Sequence, residues 1–407
     1  MNKKLVPKRR FKGFTGNWEQ FKLGNLGSVT MNKRIFKDET TDSGDVPFYK
    51  IGTFGGEPDA YISRELFEEY KIKYPYPEVG DILISASGSI GRTVVYKGEE
   101  AYFQDSNIVW LKHDDRLDNS FLKQFYTIVK WQGLEGSTIK RLYNKNILDT
   151  EINIPSPNEQ KKVGEFFGNF DNLIASQQRK LNKAKALKSA YLSEMFPAVG
   201  ECKPKRRFAG FTDDWKQCEL SNIATMKARI GWQGLTKKEF LDEGEYYLIT
   251  GTDFENGQID FKNIHFIGED RYKQDVNIQI KNGDVLITKD GTIGKVAYVD
   301  GLDKPATLNA GVFVIRGKST NVSNLYLYHY LAAPYLLKYA DKQATGGTIK
   351  HLNQNVLVNF PVPIPNIIEQ KKIGQFLSNL DSLIKSQQQK LDKLENMKKA
   401  YLNEMFI

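Results

Sequence analysis

The sequence contains one long segment twice. Residues 159–196 and 369–406 are identical at 23 of 38 aligned positions and lie 210 positions apart. A repeat with so long a period indicates two copies of a whole structural unit in one chain. At 407 residues the chain is also too long for one ordinary hydrophobic core, so two to three domains are expected.

Shorter motifs extend the repeat toward the N-terminus. RRFKGF (9–14) matches RRFAGF (206–211), GDILISASGSIGR (80–92) matches GDVLITKDGTIGK (283–295), and GSTIKRLYNKNI (136–147) matches GGTIKHLNQNVL (346–357). The offset between copies grows from 197 to 210, so the second copy carries insertions. Between Trp18 and Gly80 the copies hardly align beyond a Gly-Thr pair at 52–53 and 251–252. The sequence thus predicts one framework that carries two different variable parts.

The repeated segment 159–196 predicts a long helix. It lacks proline, and its apolar residues recur at steps of three and four. Ser156 and Glu159 predict a capping box at its start, and Asn366 and Glu369 predict the same in the second copy. Because each apolar stripe needs cover, we expect the two helices to form an antiparallel coiled coil; the alternative is a helix packed on its own domain. The predicted helix–helix contacts are Val163, Phe166, Phe170, Leu181, Ile373, Phe376, Leu380 and Leu391.

The variable parts are expected to be mixed and mainly β. Short apolar runs such as ILIS (82–85) and VLIT (285–288) lie between glycine-rich turns, and 119–132 and 324–340 have helical spacing. The predicted fold class is α+β, a tandem pseudo-twofold repeat of two such domains separated by two long antiparallel helices. The expected divisions are a segment that completes the repeat (1–17), domain 1 (18–155), helical region 1 (156–196), a linker (197–214), domain 2 (215–365) and helical region 2 (366–407).

Net charge, cysteine spacing and hydrophobicity indicate which partners and which cellular location are expected. Lys and Arg outnumber Asp and Glu by 58 to 49, a net charge of +9 that favours a polyanionic partner or simply a basic soluble protein. The two cysteines, Cys202 and Cys218, have no metal-ligand or disulfide spacing, and no apolar run has the length of a membrane span. The N-terminus lacks the apolar core of a signal peptide. We expect a cytoplasmic protein without a membrane partner.

Three repeated stretches could contact another molecule. The glycine turns at 88–92 and 291–295 would let backbone approach a ligand, or serve only the fold. The loops at 136–141 and 346–351 combine hydroxyls and cations that suit phosphate oxygens, or merely begin a strand. The polar residues of 50–54 and 250–254 follow a predicted strand, a usual place for specificity contacts. The candidate phosphate contacts are Arg92, Ser137, Thr138, Lys140, Arg141, Lys289, Lys295, Thr348, Lys350 and His351; the candidate base contacts are Lys50, Thr53, Ser89, Thr250, Thr252, Asp253 and Thr292.

Catalytic and metal-binding patterns are missing from the sequence. Four scattered histidines form no H-E-x-x-H motif, and no G-x-S-x-G or nucleotide-binding glycine motif occurs. Asp81 and Asp284 each follow a glycine before a strand, which is typical of turn formation. We therefore predict neither catalytic residues nor a metal site in this chain.

Taken together, these motifs resemble the specificity (S) subunits of type I restriction-modification systems. The resemblance rests on the paired GDILIS…GSIGR-like segments, the paired G-[S/G]-T-I-K loops, the paired E-Q-K-K helix entries and the two long helices ending in Y-L-x-E-M-F. It covers essentially the whole chain.

The resemblance implies a bacterial or archaeal protein with two target recognition domains, each reading half of an asymmetric, two-part sequence in double-stranded DNA. The helices would act as a ruler that fixes the gap and as docking sites for two methyltransferase (M) subunits, joined in the full complex by restriction (R) subunits. This chain would bind no cofactor; S-adenosylmethionine, ATP and Mg²⁺ would belong to the partners. A modification-only system, a duplicated hydrolase or nuclease, and a scaffold without a DNA role are the alternatives.

Overall fold

A computed structural model describes residues 5–133, 140–198, 201–343, 352 and 354–407. The chain divides into two compact units. Unit 1 consists of Met1–Arg179 and Gln389–Ile407, and unit 2 of Lys180–Gln388. Each unit therefore contains one variable domain and a part of both long helices. None of the helices in the described ranges is both long and apolar enough to cross a membrane.

Domain 1 is a mixed, strand-rich domain with three short helices. Its strands are β1 Glu19–Lys22, β2 Gly27–Thr30, β3 Val46–Tyr49, β4 Tyr61–Ile62, β5 Ile82–Ser85, β6 Thr93–Val95, β7 Tyr102–Phe103, β8 Ile108–His113 and β9 Glu151–Ile154; its helices are α1 Arg64–Lys73, α2 Asn119–Ile128 and α3 Asn144–Leu148. The first long helix, α4, spans Pro157–Glu194.

Domain 2 repeats this order with additional short strands. Its strands are β10 Lys216–Glu219, β11 Ala224–Ala228, β12 Tyr246–Ile249, β13 Phe254–Glu255, β14 Gln258–Ile259, β15 His265–Ile267, β16 Gln279–Ile280, β17 Val285–Thr288, β18 Val296–Tyr298, β19 Ala306–Leu308, β20 Val312–Gly317 and β21 Pro361–Ile364. Its helices are α5 Leu220–Ile223, α6 Glu269–Lys273, α7 Asn324–Ala332, α8 Tyr335–Gln343 and α9 Gln354–Val358. The second long helix, α10, spans Ile367–Met405.

The sheets of the two domains have matching topologies. A four-stranded antiparallel sheet runs β2-β8-β5-β6 in domain 1 and β11-β20-β17-β18 in domain 2. A second sheet contains a parallel pair in each domain, β3 with β7 and β12 with β19. The continuous apolar runs 82–85 and 285–288 are buried at every position, because each strand lies at the interior of its sheet and is covered on both faces. The predicted α+β repeat is confirmed.

Two faces of α4 are buried in unit 1. On one face, Phe166 and Phe170 meet Tyr401 of α10, with ring centroids 5.4 and 5.7 Å apart. On the other, the fully buried Phe167 lies against Phe406, which stacks on Phe121 of α2 at 4.9 Å. Since the start of α4 meets the end of α10, the helices are antiparallel. The helix also packs on its own domain, so both packing modes considered from the sequence are present.

Unit 2 has the same arrangement with the helix ends exchanged. Tyr191 of α4 meets Phe376 of α10 at 4.8 Å, and Phe196 packs on Tyr326 of α7 at 5.5 Å. The predicted pairing of the two long helices is thus observed inside each unit. Of the eight residues predicted for helix contacts, six are buried, at 1–8% exposure, and two are partly buried; the buried residues are Val163, Phe170, Leu181, Ile373, Leu380 and Leu391, and the partly buried ones are Phe166 and Phe376.

The capping box predicted for α4 is wrong in one respect. The carboxylate of Glu159 does not return to Ser156 but accepts hydrogen bonds from Arg10, 2.7 Å from Nε and 2.6 Å from Nη2. The reason is tertiary: the segment that precedes domain 1 brings Arg10 to the helix start, and Glu159 retains only 1% exposure there. In the second copy, the Asn366 side chain does cap, accepting from the Glu369 backbone N–H at 3.0 Å. The other half of the predicted box is wrong there too, because the Glu369 carboxylate accepts from Arg207.

A matched pair of glycines gives a test of how tightly α4 and α10 pack on their domains. A Cβ at Gly164 would lie 1.9 Å from Ser120 Oγ and 2.8 Å from the Ser120 carbonyl carbon, whereas at Gly374 the nearest atom is Leu325 Cγ at 3.2 Å. We expect Gly164→Ala to lower the free energy of unfolding by about 1–3 kcal/mol through overpacking. Gly374→Ala should be close to neutral, because a helix-propensity gain of up to about 1 kcal/mol offsets the tighter contact. Urea unfolding of the two variants measures both values; equal losses would contradict the packing difference.

The pH dependence of unit 1 should report on Asp171 of α4. Burial raises the pKa of this carboxyl, but hydrogen bonds from Lys123 of α2 and Lys398 of α10, each 2.6 Å long, outweigh burial and leave the pKa below its ordinary value. Its stabilising contribution is therefore present at neutral pH and is lost as the pH falls through that lowered pKa. We expect Asp171→Asn to lower the urea midpoint at pH 7 and to weaken its decline toward pH 3. Parallel pH profiles of variant and wild type would show that Asp171 does not contribute.

Candidate nucleic-acid interface

The loops that follow β3, β5 and β7 meet at one end of domain 1. The Ile51 backbone N–H donates to Gln104 Oε1 at 2.9 Å, and Ala86 N–H donates to the Asn107 carbonyl at 2.7 Å. The segment after the undescribed 134–139 joins them, since Leu142 N–H donates to the Ala86 carbonyl at 2.8 Å. We call this the hairpin end, after the β5–β6 hairpin (domain 1) and the β17–β18 hairpin (domain 2).

The β5–β6 turn is a tight glycine turn. Gly88 and Gly91 have φ of 64° and 82°, in the region that favours glycine. The Ser85 hydroxyl donates to the carbonyl of Ser89 and accepts from the Arg92 backbone N–H at 2.9 Å. The side chains of Ser89 and Arg92 are exposed, as a contact to an external molecule requires.

Domain 2 builds its turn in the same way. The Thr288 hydroxyl donates to the Thr292 carbonyl at 2.5 Å and accepts from Lys295 N–H at 2.9 Å. Thr292 and Lys295 are exposed. Lys289 differs, because its ammonium lies 5.4 Å from the centre of the Phe313 ring and its carbonyl accepts from Leu352 N–H at 2.9 Å. The side chain of Lys289 thus has an internal partner at the edge of the site.

The stretches after β3 and β12 correspond with an offset of 200, one more than the Gly-Thr pairing made from the sequence. Thr53 Oγ1 accepts from Lys50 N–H at 3.1 Å, and Asp253 Oδ2 accepts from Thr250 N–H at 2.7 Å, so Thr53 and Asp253 are equivalent. The Gly-Thr pairing is wrong because threonine occurs at both 53 and 252, whereas the residue that accepts the hydrogen bond of the turn is Thr53 in domain 1 and Asp253 in domain 2. Burial raises the pKa of Asp253 despite its hydrogen bonds to Thr250.

In both turns, side chains that were predicted to contact bases form hydrogen bonds or ion pairs within the protein. Thr252 Oγ1 lies 2.6 Å from Thr250 Oγ1, and Lys50 Nζ lies 2.9 Å from Asp59. These groups lie at the hairpin end, and their role in base contact remains a prediction.

Only part of the second predicted stretch is described. Lys140 is exposed, and Arg141 is half-buried with Nη2 donating to the Ser106 carbonyl at 2.8 Å. Its guanidinium also lies 5.9 Å from the centre of the Tyr143 ring. The predicted contacts that lie outside the described residues are Ser137, Thr138, Thr348, Lys350 and His351.

Charge is distributed unevenly along domain 1. Residues 18–155 contain 17 Lys and Arg against 21 Asp and Glu, so the domain as a whole is acidic. Basic side chains nevertheless cluster at the hairpin end; they are Arg34, Lys50, Arg92, Lys140, Arg141 and Lys145, with Asp59 and Asp105 paired among them and Glu57 exposed nearby. The opposite end, in the described residues, exposes Glu78, Glu99, Glu100, Asp114 and Asp115 beside Lys97, Lys112 and Arg116. This polarity orients a polyanion toward the hairpin end.

Sequence reasoning missed several polar residues at this end. Ser87 Oγ donates to Asn107 Oδ1 at 2.8 Å, and Arg34 Nε donates to Asp105 Oδ2 at 2.9 Å. No sequence signal marks the loop 104–107, because it has no counterpart in a repeated motif. Its position follows only from the pairing of β7 with β3 and of β8 with β5.

The fold and these loops define a protein built from two copies of one module, each presenting a different polar surface on a common framework. Residues 15–186 and 212–396 match the family model described as the type I restriction modification DNA specificity domain. The chain belongs to this family of type I restriction-modification specificity proteins.

Individual relatives agree with that assignment. A Haemophilus influenzae protein named as a putative type I restriction enzyme specificity subunit is 57% identical over 155 residues, which are 38% of this chain and 40% of that protein. The MjaVIII specificity subunit of Methanocaldococcus jannaschii is 24% identical across 80% of this chain and 75% of its own. The solved S subunit of M. genitalium superposes with a TM-score of 0.66 at 17% identity, covering 99% of both chains, which shows a shared fold.

Proposed function

We propose that this chain is the DNA-specificity subunit of a type I restriction-modification complex, in which each domain reads one half of an asymmetric two-part target in double-stranded DNA. The observation that carries the proposal is the pairing of one backbone framework with two different loop sets at the hairpin ends. Two equal surfaces would read equal half-sites, whereas these surfaces differ in sequence and in length. Exposed cations would hold phosphates while loop side chains contact base edges.

The subunit directs partner enzymes and makes no bonds itself. Two methyltransferase subunits would dock on the helical regions, carry S-adenosylmethionine and methylate adenine, which must leave the base stack for its N6 to be reached. Restriction subunits would add cleavage driven by ATP and Mg²⁺. α4 and α10 would serve as the ruler, so that the gap between half-sites is read by distance.

Two carboxylates singled out in the sequence, Asp81 and Asp284, and one of the four histidines, His329, have structural roles. Asp81 accepts from the Glu78 backbone N–H at 2.8 Å, and Asp284 from that of Lys281 at 2.8 Å, which forms the turn before each central strand. His329 is fully buried, and burial lowers its pKa to about 3, which keeps the ring neutral. No cluster of three metal-ligating side chains occurs within the described ranges.

The proposal is tested by a long-read methylome of a host that supplies the partner methyltransferase, with this gene present and deleted. We expect N6-methyladenine at one two-part motif to disappear on deletion. An unchanged methylome, while a control specificity subunit remains active with the same methyltransferase, would refute the assignment.

Lys140 should contribute to affinity without contributing to sequence choice. We expect Lys140→Ala to weaken binding to target and non-target duplexes alike and to reduce the slope of log K against log salt by about 1. Lys97→Ala, an exposed lysine at the opposite end of domain 1, is the matched control and should leave both quantities unchanged. Fluorescence anisotropy between 50 and 200 mM salt measures the slopes. Equal behaviour of the two variants would remove Lys140 from the DNA contacts.

A further inference from the structure

The duplication allows the two hairpin ends to be compared inside one molecule. In domain 1 the loop after β7 is held at its start by Gln104 N–H, which donates to the Tyr49 carbonyl at 2.9 Å. In domain 2 the loop after β19 is held by Asn309 N–H, which donates to the Ile249 carbonyl at the same distance. These two hydrogen bonds make Gln104 and Asn309 equivalent.

The far ends of the same loops are also held alike. Asn107 accepts from Ala86 N–H at 2.7 Å, and Gly311 accepts from Lys289 N–H at 2.9 Å. The framework therefore fixes both ends of each loop with backbone groups, which any residue supplies. The identity of the residues between these ends is therefore not constrained by the framework.

The contents of the loops differ in length and in chemistry. Domain 1 has Gln-Asp-Ser-Asn at 104–107, whereas domain 2 has Asn-Ala-Gly at 309–311, one residue shorter. The residue that faces the loop from the hairpin differs as well. Ser87 donates to the Asn107 side chain, whereas a Cβ at Gly311 would lie 3.7 Å from Asp290 Cβ.

The hairpin turns, by contrast, are alike in both domains. Each has a hydroxyl at the strand end and two glycines of positive φ, and each has the same two backbone hydrogen bonds across the turn. Ser89 and Thr292 take part through their carbonyl oxygens, as described above. At the exposed positions of the turn, Ser89 and Arg92 of domain 1 correspond to Thr292 and Lys295 of domain 2, so each domain presents a hydroxyl and a cation there. Because these groups are alike in both domains, the turn belongs to the framework.

Additional contacts hold the domain 1 loop in a defined shape. Ser106 has a φ of 53°, in the left-handed region that residues other than glycine seldom adopt. The Arg141 guanidinium donates to the Ser106 carbonyl, and Arg34 pairs with Asp105 at 2.9 Å. Two cations from separate segments thus order this loop, which leaves the side chains of Ser106 and Asn107 half-buried at the surface.

We propose that these loops, 104–107 with Ser87 and 309–311 with Asp290, are the specificity-determining elements of the two domains. The inference rests on the proposed function and names the residues that carry it out. Domain 1 offers the amide of Asn107 and the hydroxyl of Ser87, a donor and acceptor set that matches the edge of a base in the major groove. In domain 2 the carboxylate of Asp290 lies beside Gly311 in place of this set, so the chemistry of the two surfaces differs.

Point variants test the side chains of the domain 1 loop. Asn107→Ala and Ser87→Ala are expected to relax one position of the half-site read by domain 1, with discrimination there reduced on the order of 10- to 100-fold, while the other half-site is unchanged. Lys97→Ala, at the opposite end of domain 1, is the control and should keep the wild-type motif. The readout is the methylome of a host expressing each variant with the partner methyltransferase. An unchanged motif with both Asn107→Ala and Ser87→Ala would overturn the inference.

A loop exchange tests the inference as a gain of specificity. The variant combines Ser87→Asp, Gln104→Asn, Asp105→Ala and Asn107→Gly with deletion of Ser106, which gives domain 1 the loop of domain 2. We expect its half-site to lose the wild-type bases and to approach the half-site of domain 2. Retention of the wild-type half-site would overturn the inference alone. A wild-type protein that directs no two-part methylation would overturn the proposed function together with it.

Discussion

Replacing Arg207 by alanine is expected to lower the free energy of unfolding of unit 2 by roughly 3 kcal/mol. The Arg207 guanidinium donates to both carboxylate oxygens of Glu369 at the start of α10, at 2.6 and 2.8 Å. Glu369 has no exposed side-chain surface and Arg207 only 14%. Removing one partner of a buried pair leaves the other charge without compensation, which typically costs about 3–5 kcal/mol. The residual exposure of Arg207 places the expected value at the lower end.

The neighbouring arginine provides the control. Arg206 pairs with Glu194 at 2.5 Å, but the two side chains are 54% and 36% exposed, and water can replace the contact. We expect Arg206→Ala to change stability little. Hydrogen exchange of peptides from 203–215 and from the first turns of α10 resolves unit 2 from unit 1, which a single melting temperature would not. Similar effects of the two substitutions would mean that burial of Glu369 does not matter.

Lengthening both long helices by one turn is expected to lengthen the gap in the DNA target by about two base pairs. Four residues add about 6 Å at 1.5 Å per residue, and successive phosphates of one strand lie about 3.4 Å apart along the DNA axis. The insertion belongs within 175–190 of α4 and at the facing positions 377–392 of α10, so that the two antiparallel helices stay in register. Because the hairpin ends are untouched, neither half-site should change.

The methylome of the inserted variant reports both quantities at once. An insertion of the same four residues between the exposed residues Asp300 and Gly301 of domain 2 controls for a general effect of added chain. Methylation at the original gap, or a changed half-site with the loops intact, would show that the helices do not set the spacing.

The long helices could be predicted because their signal is local. The 3.6-residue period and the absence of proline give α4 and α10 to within two residues at each end. The pairing of Arg10 with Glu159 could not be predicted, since it joins residues 149 positions apart. For the same reason the sequence predicts a local cap for Glu159, with Ser156 as its partner.

Only the parts of the candidate interface whose sequence motif occurs in both domains could be predicted. The glycine turns at 88–91 and 291–294 follow from a motif that occurs twice, and Ser89 and Thr292 within them are exposed. The loops 104–107 and 309–311 differ in sequence between the domains. A search for motifs that occur in both halves finds the turns but not these loops. Their equivalence is visible only in backbone hydrogen bonds, which are independent of side-chain identity.

The division of unit 1 into two chain segments has a consequence for the order of protein synthesis. Trp18 and Phe121 of domain 1 are covered by Phe406, with ring centroids 6.2 and 4.9 Å away. Domain 1 is translated well before residues 389–407, an interval of about 10–40 s at 5–20 residues per second. Unit 2 is one continuous stretch, 180–388, and has all its residues earlier. The half of the protein that leaves the ribosome first is therefore the half that finishes folding last, with an aromatic surface that chaperones could bind in the meantime.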